Sequence, residues 1–408
     1  MPHNDTCVEW TDGNRRGTGG AAKPNPPNPS RLQVHPSALP SRPAILEPMR
    51  PPSTRLLTTL LSLGLLGALS GCMSTTPAAP PRPVRPLSPE VAARFDYATV
   101  GTASLALTWE DDAVAVHSGT ITVRAPNADP QNPDDSFEVQ FEYWRSKVAP
   151  PGASAAVVVT PILGGGKSLA RTNCEDFARA GFHVVLAWRG TKVLRKSWGI
   201  EAPEYWMRRS VASRRALLDW LAERPEVDPD RIAGFGISMG GILTSTLLAA
   251  EPRFRCGVVA LAGGDLAGVI ATSSEGRIER YFAQKQLDLG IGPVELEQRI
   301  RAALPSDPLL LAHAVDPQKM LMISTSLDTV VPPKFQLKLW RAMGRPLRVD
   351  LWSGHYTAIL YLPWITDRVV EFFHEKLAPR EPALAKAAEA VKVAKAAKVA
   401  QSKTELSR

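Results

Sequence analysis

Cysteine is scarce in this chain. Only Cys7, Cys72, Cys174 and Cys256 occur among 408 residues. That is too few for a disulfide framework, and no Cys/His spacing suits a zinc site. Cys174 lies in a helix-like stretch and Cys256 in a strand-like one, where buried free thiols are expected. No G-x-x-x-x-G-K-[ST] segment offers a phosphate cradle, and no internal repeat is visible. The apolar run Leu56 to Ala68 is too short to span a bilayer comfortably. The body also lacks an excess of either charge. Of the net +8, residues 1–71 carry +3 and residues 381–408 another +3, leaving +2 for the 309 residues between. A near-neutral body gives no support for nucleic-acid binding. Neither a metal nor an organic cofactor is expected. The 44% hydrophobic content suits one large globular domain with appendages.

What is present is more specific. Gly236-Ile237-Ser238-Met239-Gly240 follows the apolar run Arg231 to Phe235 and precedes a helix-like run, Gly241 to Ala250. G-x-S-x-G between a strand and a helix is the context of a nucleophile elbow. The turn strains the serine backbone, and side chains at Gly236 or Gly240 would collide with the neighbouring elements. The serine then projects beside a helix N-terminus, whose free N–H groups favour negative charge.

A serine hydroxyl needs a base to take its proton. Downstream, the buried-strand pattern Lys319 to Thr325 runs into Ser326-Leu327-Asp328, with Pro332 closing the loop. Leu347 to Trp352 alternates like a strand and leads into Ser353-Gly354-His355. Ser238 is the expected nucleophile, His355 the base, and Asp328 the acid that orients the imidazole. Asp265, after the preceding strand, is the alternative acid. Of the other histidines, His313 is the hardest to set aside. The oxyanion calls for backbone N–H donors. Met239 is one candidate. The other should follow the strand Ala155 to Thr160, in Pro161-Ile162-Leu163-Gly164-Gly165-Gly166, with Leu163 preferred and Ile162 the fallback.

Together these residues resemble an α/β-hydrolase. Val227-Asp228-Pro229-Asp230-Arg231-Ile232-Ala233 leading into the elbow, and Asp328-Thr329-Val330-Val331-Pro332 followed by Gly354-His355, are similar to the dienelactone hydrolase and prolyl-oligopeptidase branch. The resemblance spans roughly residues 137–378. It implies an α/β fold with a mostly parallel eight-stranded sheet, helices on both faces, and a hydrolytic site needing no cofactor. Dienelactone hydrolases often use a cysteine nucleophile; Ser238 here favours an ordinary esterase. The family's common His-Gly oxyanion entry is replaced by Pro161-Ile162. No propeller-like repeat precedes the domain, which disfavours an oligopeptidase architecture.

The N-terminal region has its own logic. Residues 1–48 are rich in Pro, Asn, Gly and Ser and are expected to be a disordered or mis-assigned leader, with translation starting at Met49. Residues 49–71 join a basic start, Arg50 and Arg55, to the short apolar run. They end in Leu69-Ser70-Gly71-Cys72, which resembles the lipobox of bacterial lipoproteins. The resemblance implies acylation of Cys72 and anchoring in a bacterial envelope, at the outer membrane in a two-membrane cell. Residues 72–95 are Pro-rich and read as a tether lifting the domain off the membrane.

The hydrolase domain is expected over residues 96–379. It begins with antiparallel strands over 97–126 and 137–144, and a cap is inserted at 266–316. In that cap Ile278–Leu287 and Val294–Leu304 look helical, and Tyr281, Phe282 and Leu287 are candidates either to line an acyl or aryl pocket or to form the cap's own core. Arg189 could border the site. Residues 380–408 form an Ala/Lys-rich tail. The expected function is hydrolysis of small-molecule carboxylic esters through an acyl-enzyme. The alternatives are a peptidase or amidase with the same triad, and a non-catalytic envelope protein on a hydrolase scaffold.

Overall fold

A computed structural model describes residues 73–126, 135–163, 167–188, 194 and 199–379. The leader, the signal peptide, Cys72, Gly164–Gly166, Arg189 and the C-terminal tail lie outside the described residues.

The centre of the fold is dictated by runs of small and β-branched residues. Strand β5 (Ser154–Thr160) and strand β9 (Met320–Thr325) are buried at every position. Strands buried on both faces need continuous apolar sequence rather than alternation. They lie in a ten-stranded sheet ordered β1-β10-β9-β8-β7-β5-β6-β4-β3-β2. Here β1 is Met73–Thr76, β2 Ala98–Glu110, β3 Val114–Arg124, β4 Ser136–Ser146, β6 His183–Ala187, β7 Val227–Ile237, β8 Phe254–Ala260 and β10 Leu347–Leu351. The six strands from β10 to β6 run parallel. β4, β3 and β2 continue the sheet antiparallel, as their alternating sequence predicted.

Two apolar cores flank the sheet, and strand alternation assigns residues to each. Ala155, Val157 and Val159 pack with Phe177 of helix α1 (Lys167–Arg179) and with Val369 and Phe373 of helix α8 (Leu362–Lys376). Ala156 and Val158 face the other core. There they join Met207 and Leu218 of helix α2 (Ala202–Ala222), Leu243 of helix α3 (Met239–Ala250) and Leu339 of helix α7 (Pro333–Ala342). The cap between β8 and β9 is helical: α4 (Leu266–Thr272), α5 (Gly276–Leu289) and α6 (Pro293–Ala302), followed by short turns to residue 319.

Among the described residues the sheet has ten strands where the resemblance implied eight, with β1 and β2 at its edges. β2 is an almost wholly exposed edge strand. β1 comes from the segment expected to be a free tether, and it pairs antiparallel with β10, Met73 opposite Leu351. The Pro-rich residues after it are docked as well. Ala79 N–H donates to the Arg345 carbonyl at 2.9 Å, and Gln318 Nε2 donates to the Ala79 carbonyl at 2.7 Å. The Arg82 guanidinium reaches the carbonyls of Ala312 and Ala342 at 3.1 and 3.3 Å. Proline cannot join an interior ladder, but an extended proline segment leaves its carbonyls and flanking N–H groups free for neighbours. Residues 73–88 are thus a strap along the domain rather than a spacer.

Candidate active site

Ser238 sits between β7 and α3 with φ +57° and ψ −123°. A non-glycine residue in this region is strained and persists only where its surroundings hold it. Here Ser238 N–H donates to the Ala260 carbonyl at 2.8 Å, and the Ser238 carbonyl accepts from Ile242 N–H at 2.9 Å. The elbow glycines are needed for close approach. A Cβ on Gly236 would overlap the Gly240 carbonyl, and one on Gly240 would overlap the Thr160 carbonyl. Gly240 therefore lets the start of α3 sit against the end of β5. That contact brings the Pro161–Leu163 segment next to the serine.

Three loops at the C-terminal rim of the sheet meet here. His355 Nε2 lies 2.8 Å from Ser238 Oγ. His355 Nδ1 lies 2.7 Å from Asp328 Oδ2. Asp328 is buried, yet its oxygens are fully engaged. Oδ1 accepts from the N–H groups of Val330 and Val331, each at 2.8 Å. Oδ2 also accepts from Thr325 Oγ1 at 3.0 Å and from Gln336 Nε2 at 3.1 Å. Gln336, on α7, additionally donates to the Val331 carbonyl and accepts from Thr325 N–H. It ties the acid's loop to the strand end. Nothing in the sequence pattern singled out Gln336 or Thr325; a polar residue on the buried face of an otherwise amphipathic helix is the one signal that could have.

The alternative acid is elsewhere engaged. Asp265 forms ion pairs with Arg301 of α6 and Lys338 of α7. Burial alone would push its carboxyl up, but Lys338 and Arg301 outweigh it and hold the group below its ordinary value. Its role is to join cap to body. His313 is far along the chain's strap side, where its Nδ1 pairs with the Leu310 carbonyl at 3.0 Å.

Two cavities meet at Ser238. One, of about 50 Å³, is apolar and is lined by Trp206, Met207, Met239, Ile242, Val269 and Ile278, among others. The second, of about 390 Å³, is lined by His355, Tyr356, Ile359, Leu362, Glu275 and Arg277 among others. Leu163 borders both, whereas Ile162 borders only the second. Of the cap residues left open between pocket and core, Tyr281 and Phe282 belong to the core. Tyr281 is buried with its hydroxyl donating to the Gly199 carbonyl at 3.0 Å, Phe282 packs in the core, and Leu287 is exposed. Ile278, one helical turn earlier than Phe282 on the same face of α5, lines the apolar cavity at the serine together with Leu266, Val269 and Ile270 of α4. Among the described residues no group of His, Cys, Asp or Glu is arranged to hold a metal ion.

Residues 169–352 match the family model described as the prolyl oligopeptidase family. That stretch includes Ser238 and Asp328 and ends just before His355. Among solved structures, the chain is similar to an acetyl xylan esterase from Paenibacillus sp. R4. Identity is 16% and the TM-score 0.52, with 69% of this chain and 90% of that one covered. It is also similar to acetyl xylan esterase 1 from Thermoanaerobacterium sp. JW/SL YS485. There identity is 18% and the TM-score 0.50, over 65% of this chain and 87% of that one. No curated protein matches the chain. With the strand order above, these similarities give the chain the α/β-hydrolase fold. Together with the family match they support a serine hydrolase.

Proposed function

We propose that this protein is a serine hydrolase that cleaves carboxylic esters of small acyl groups through an acyl-enzyme. The observation that carries the reading is the unbroken hydrogen-bond chain from Ser238 Oγ through His355 to Asp328. As a substrate carbonyl is attacked, Ser238 Oγ bonds to its carbon and the hydroxyl proton passes to His355 Nε2. Asp328 accepts from Nδ1–H and stabilises the imidazolium. The carbonyl oxygen, now negative, is met by the N–H groups of Met239 and Leu163, each worth about 3 kcal/mol when preorganised. Collapse breaks the ester C–O bond, and His355 gives its proton to the departing alkoxide. Water then repeats the sequence on the acyl-serine, releasing the acid and restoring the hydroxyl.

Proton delivery assigns the two cavities. The leaving group must lie where His355 Nε2 can protonate it, so it belongs in the 390 Å³ cavity that His355 lines. The acyl chain is left the apolar cavity of about 50 Å³. That volume, a few times the roughly 10–15 Å³ that a buried water needs, suits a short acyl chain. The structural relatives named as acetyl xylan esterases are in keeping with a short acyl group.

The match to the prolyl oligopeptidase family favours a second reading, in which the same residues cleave an amide. A fluorophosphonate probe should label the protein and fail on Ser238→Ala; equal labelling of both would remove the serine from the chemistry. Acetyl, butyryl and octanoyl esters assayed beside peptide anilides should show the acetyl or butyryl ester turned over fastest. Selective anilide turnover would replace the esterase reading with the peptidase one.

We further propose that Cys72 is acylated and anchors the enzyme in a bacterial envelope, on the strength of the Leu69–Cys72 motif and the apolar run before it. The mass of the N-terminal peptide of the membrane-extracted protein tests this. Recovery of peptides from residues 2–40 in that material would refute it.

A further inference from the structure

The strap and the active-site rim have a shared consequence. Met73 pairs with Leu351, the last residue of β10. The chain therefore enters the domain at the C-terminal edge of the sheet, beside the loop that carries His355, and Cys72 is one residue earlier. Residues 79–85 are held to the body by the Arg345, Gln318, Arg82 and His313 hydrogen bonds, so no slack follows the strand.

The same rim is unusually apolar for an exposed surface. Leu327, Trp352, Tyr356, Ile359 and Leu360 are 53–67% exposed. They form one patch: Leu327 N–H donates to the Ser353 carbonyl at 3.0 Å, and the other four lie within nine consecutive residues. Tyr356 and Ile359 also line the larger cavity, so the patch is continuous with its mouth. A contiguous apolar rim of this kind marks an interaction surface. Trp and Tyr with Leu and Ile are suited to a bilayer interface, where an apolar body and a polar tip are both satisfied.

From these positions we propose that this rim docks on the bilayer in which the Cys72 lipid is inserted, so that the leaving-group cavity opens toward the membrane surface. The inference rests on the acylation of Cys72. An acyl anchor on the residue immediately before β1 holds the sheet edge at the headgroup layer. The apolar patch at that edge is then within reach of the acyl boundary, which such surfaces enter by about 5–10 Å. A second protein on the patch would have to compete with a membrane brought to it covalently.

The test uses the full-length protein purified from membranes and reconstituted in phosphatidylethanolamine/phosphatidylglycerol vesicles containing doxyl-labelled phosphatidylcholine. Single cysteines at exposed sites, Trp352→Cys, Leu360→Cys and, on the opposite end of the sheet, Val148→Cys, are labelled with an environment-sensitive fluorophore. Cys174 and Cys256 are buried and do not compete for label. The mass of the N-terminal peptide is measured on the same samples. Labels at 352 and 360 should lose about half their emission to the doxyl lipid while the label at 148 keeps its own, as expected for insertion at the acyl boundary. Leu360→Glu should restore emission at 352 and leave turnover of a soluble acetyl ester unchanged. A lipid-bearing chain with labels at 352 and 360 no more quenched than at 148 would overturn the docking and leave the anchor standing. An N-terminal peptide without lipid would overturn the anchor, and the docking with it.

Discussion

Asp265 and Asp328 occupy matching places one strand apart. Each lies a few residues past a buried parallel strand at the same rim, and each is itself buried. Their surroundings separate them. Asp328 is held by neutral donors, two backbone N–H groups, a threonine hydroxyl and a glutamine amide, and it has His355 as its one ionisable neighbour by hydrogen bond. Asp265 is held by two cations. Neutral donors fix a carboxylate's position and leave its charge available to an imidazolium. A cation beside it cancels that charge before a histidine could use it. What donates to a carboxylate at a strand end, not where the chain puts it, thus decides whether its charge is open to an imidazole or spent on an ion pair.

The contrast breaks first at the serine. Ser238→Ala and His355→Ala should each lower kcat by roughly 10⁴- to 10⁶-fold with an unchanged circular dichroism spectrum, because the pair acts as one unit. Rates within tenfold of wild type would leave Asp328 with nothing to orient. Next come the acids themselves. Asp328→Asn should cost roughly 10³- to 10⁴-fold in kcat, since the amide favours the wrong imidazole tautomer. Asp265→Asn should stay within about tenfold of wild type. A reversed order in steady-state assays would exchange their roles.

Gln336→Leu sharpens the picture by removing one neutral donor from Asp328 without touching substrate. Loss of orientation should lower kcat roughly 10- to 100-fold with KM little changed. It also leaves Thr325 N–H and the Val331 carbonyl without their partner, at about 1–3 kcal/mol of stability. Gln336→Glu would restore shape but not the donor; full activity in that variant would deny the glutamine a positioning role.

The smallest effect belongs to Asp265. Its cationic partners are each about half exposed, at 48% and 50%, so solvent screens both pairs. Asp265→Asn should therefore lower stability by only about 1 kcal/mol near neutral pH. The folded carboxyl is held below its ordinary 3.8, so its stabilisation is complete above that value and is lost as pH falls through the lower folded one. The gap in Tm between wild type and variant should be level from about pH 7 to about pH 4 and close below it. A gap that widened on acidification would mean that the ion pairs are not the source.

Much of this was legible in the chain. Ala155 to Thr160 and Met320 to Thr325 announce central strands because only β-branched and small residues fill a sheet covered on both sides. The elbow announces itself because two glycines must flank the serine when a backbone carbonyl occupies each Cβ position. The docking of the strap is not legible for a physical reason: a proline-rich stretch has no periodicity, so its sequence looks alike whether its carbonyls meet water or Gln318. Which cap residues line the pocket and which fill the core is not legible in the sequence, because helical periodicity tells which residues share a face but not which of them stops at the core. Tyr281 and Ile278 lie on one side of α5, and only Ile278 reaches the serine.

By itself the sequence determined the elbow, the order of serine, acid and histidine along the chain, and the layered α/β class. Those are local or ordinal properties, set by sterics within a few residues or by strand succession. The tertiary structure alone decided which aspartate faces the imidazole, that two cavities of unequal size meet at Ser238, and that the N-terminal strap begins beside the rim that carries His355. Each depends on residues brought together from more than one element, and the free energy of such a meeting belongs to no single stretch of chain.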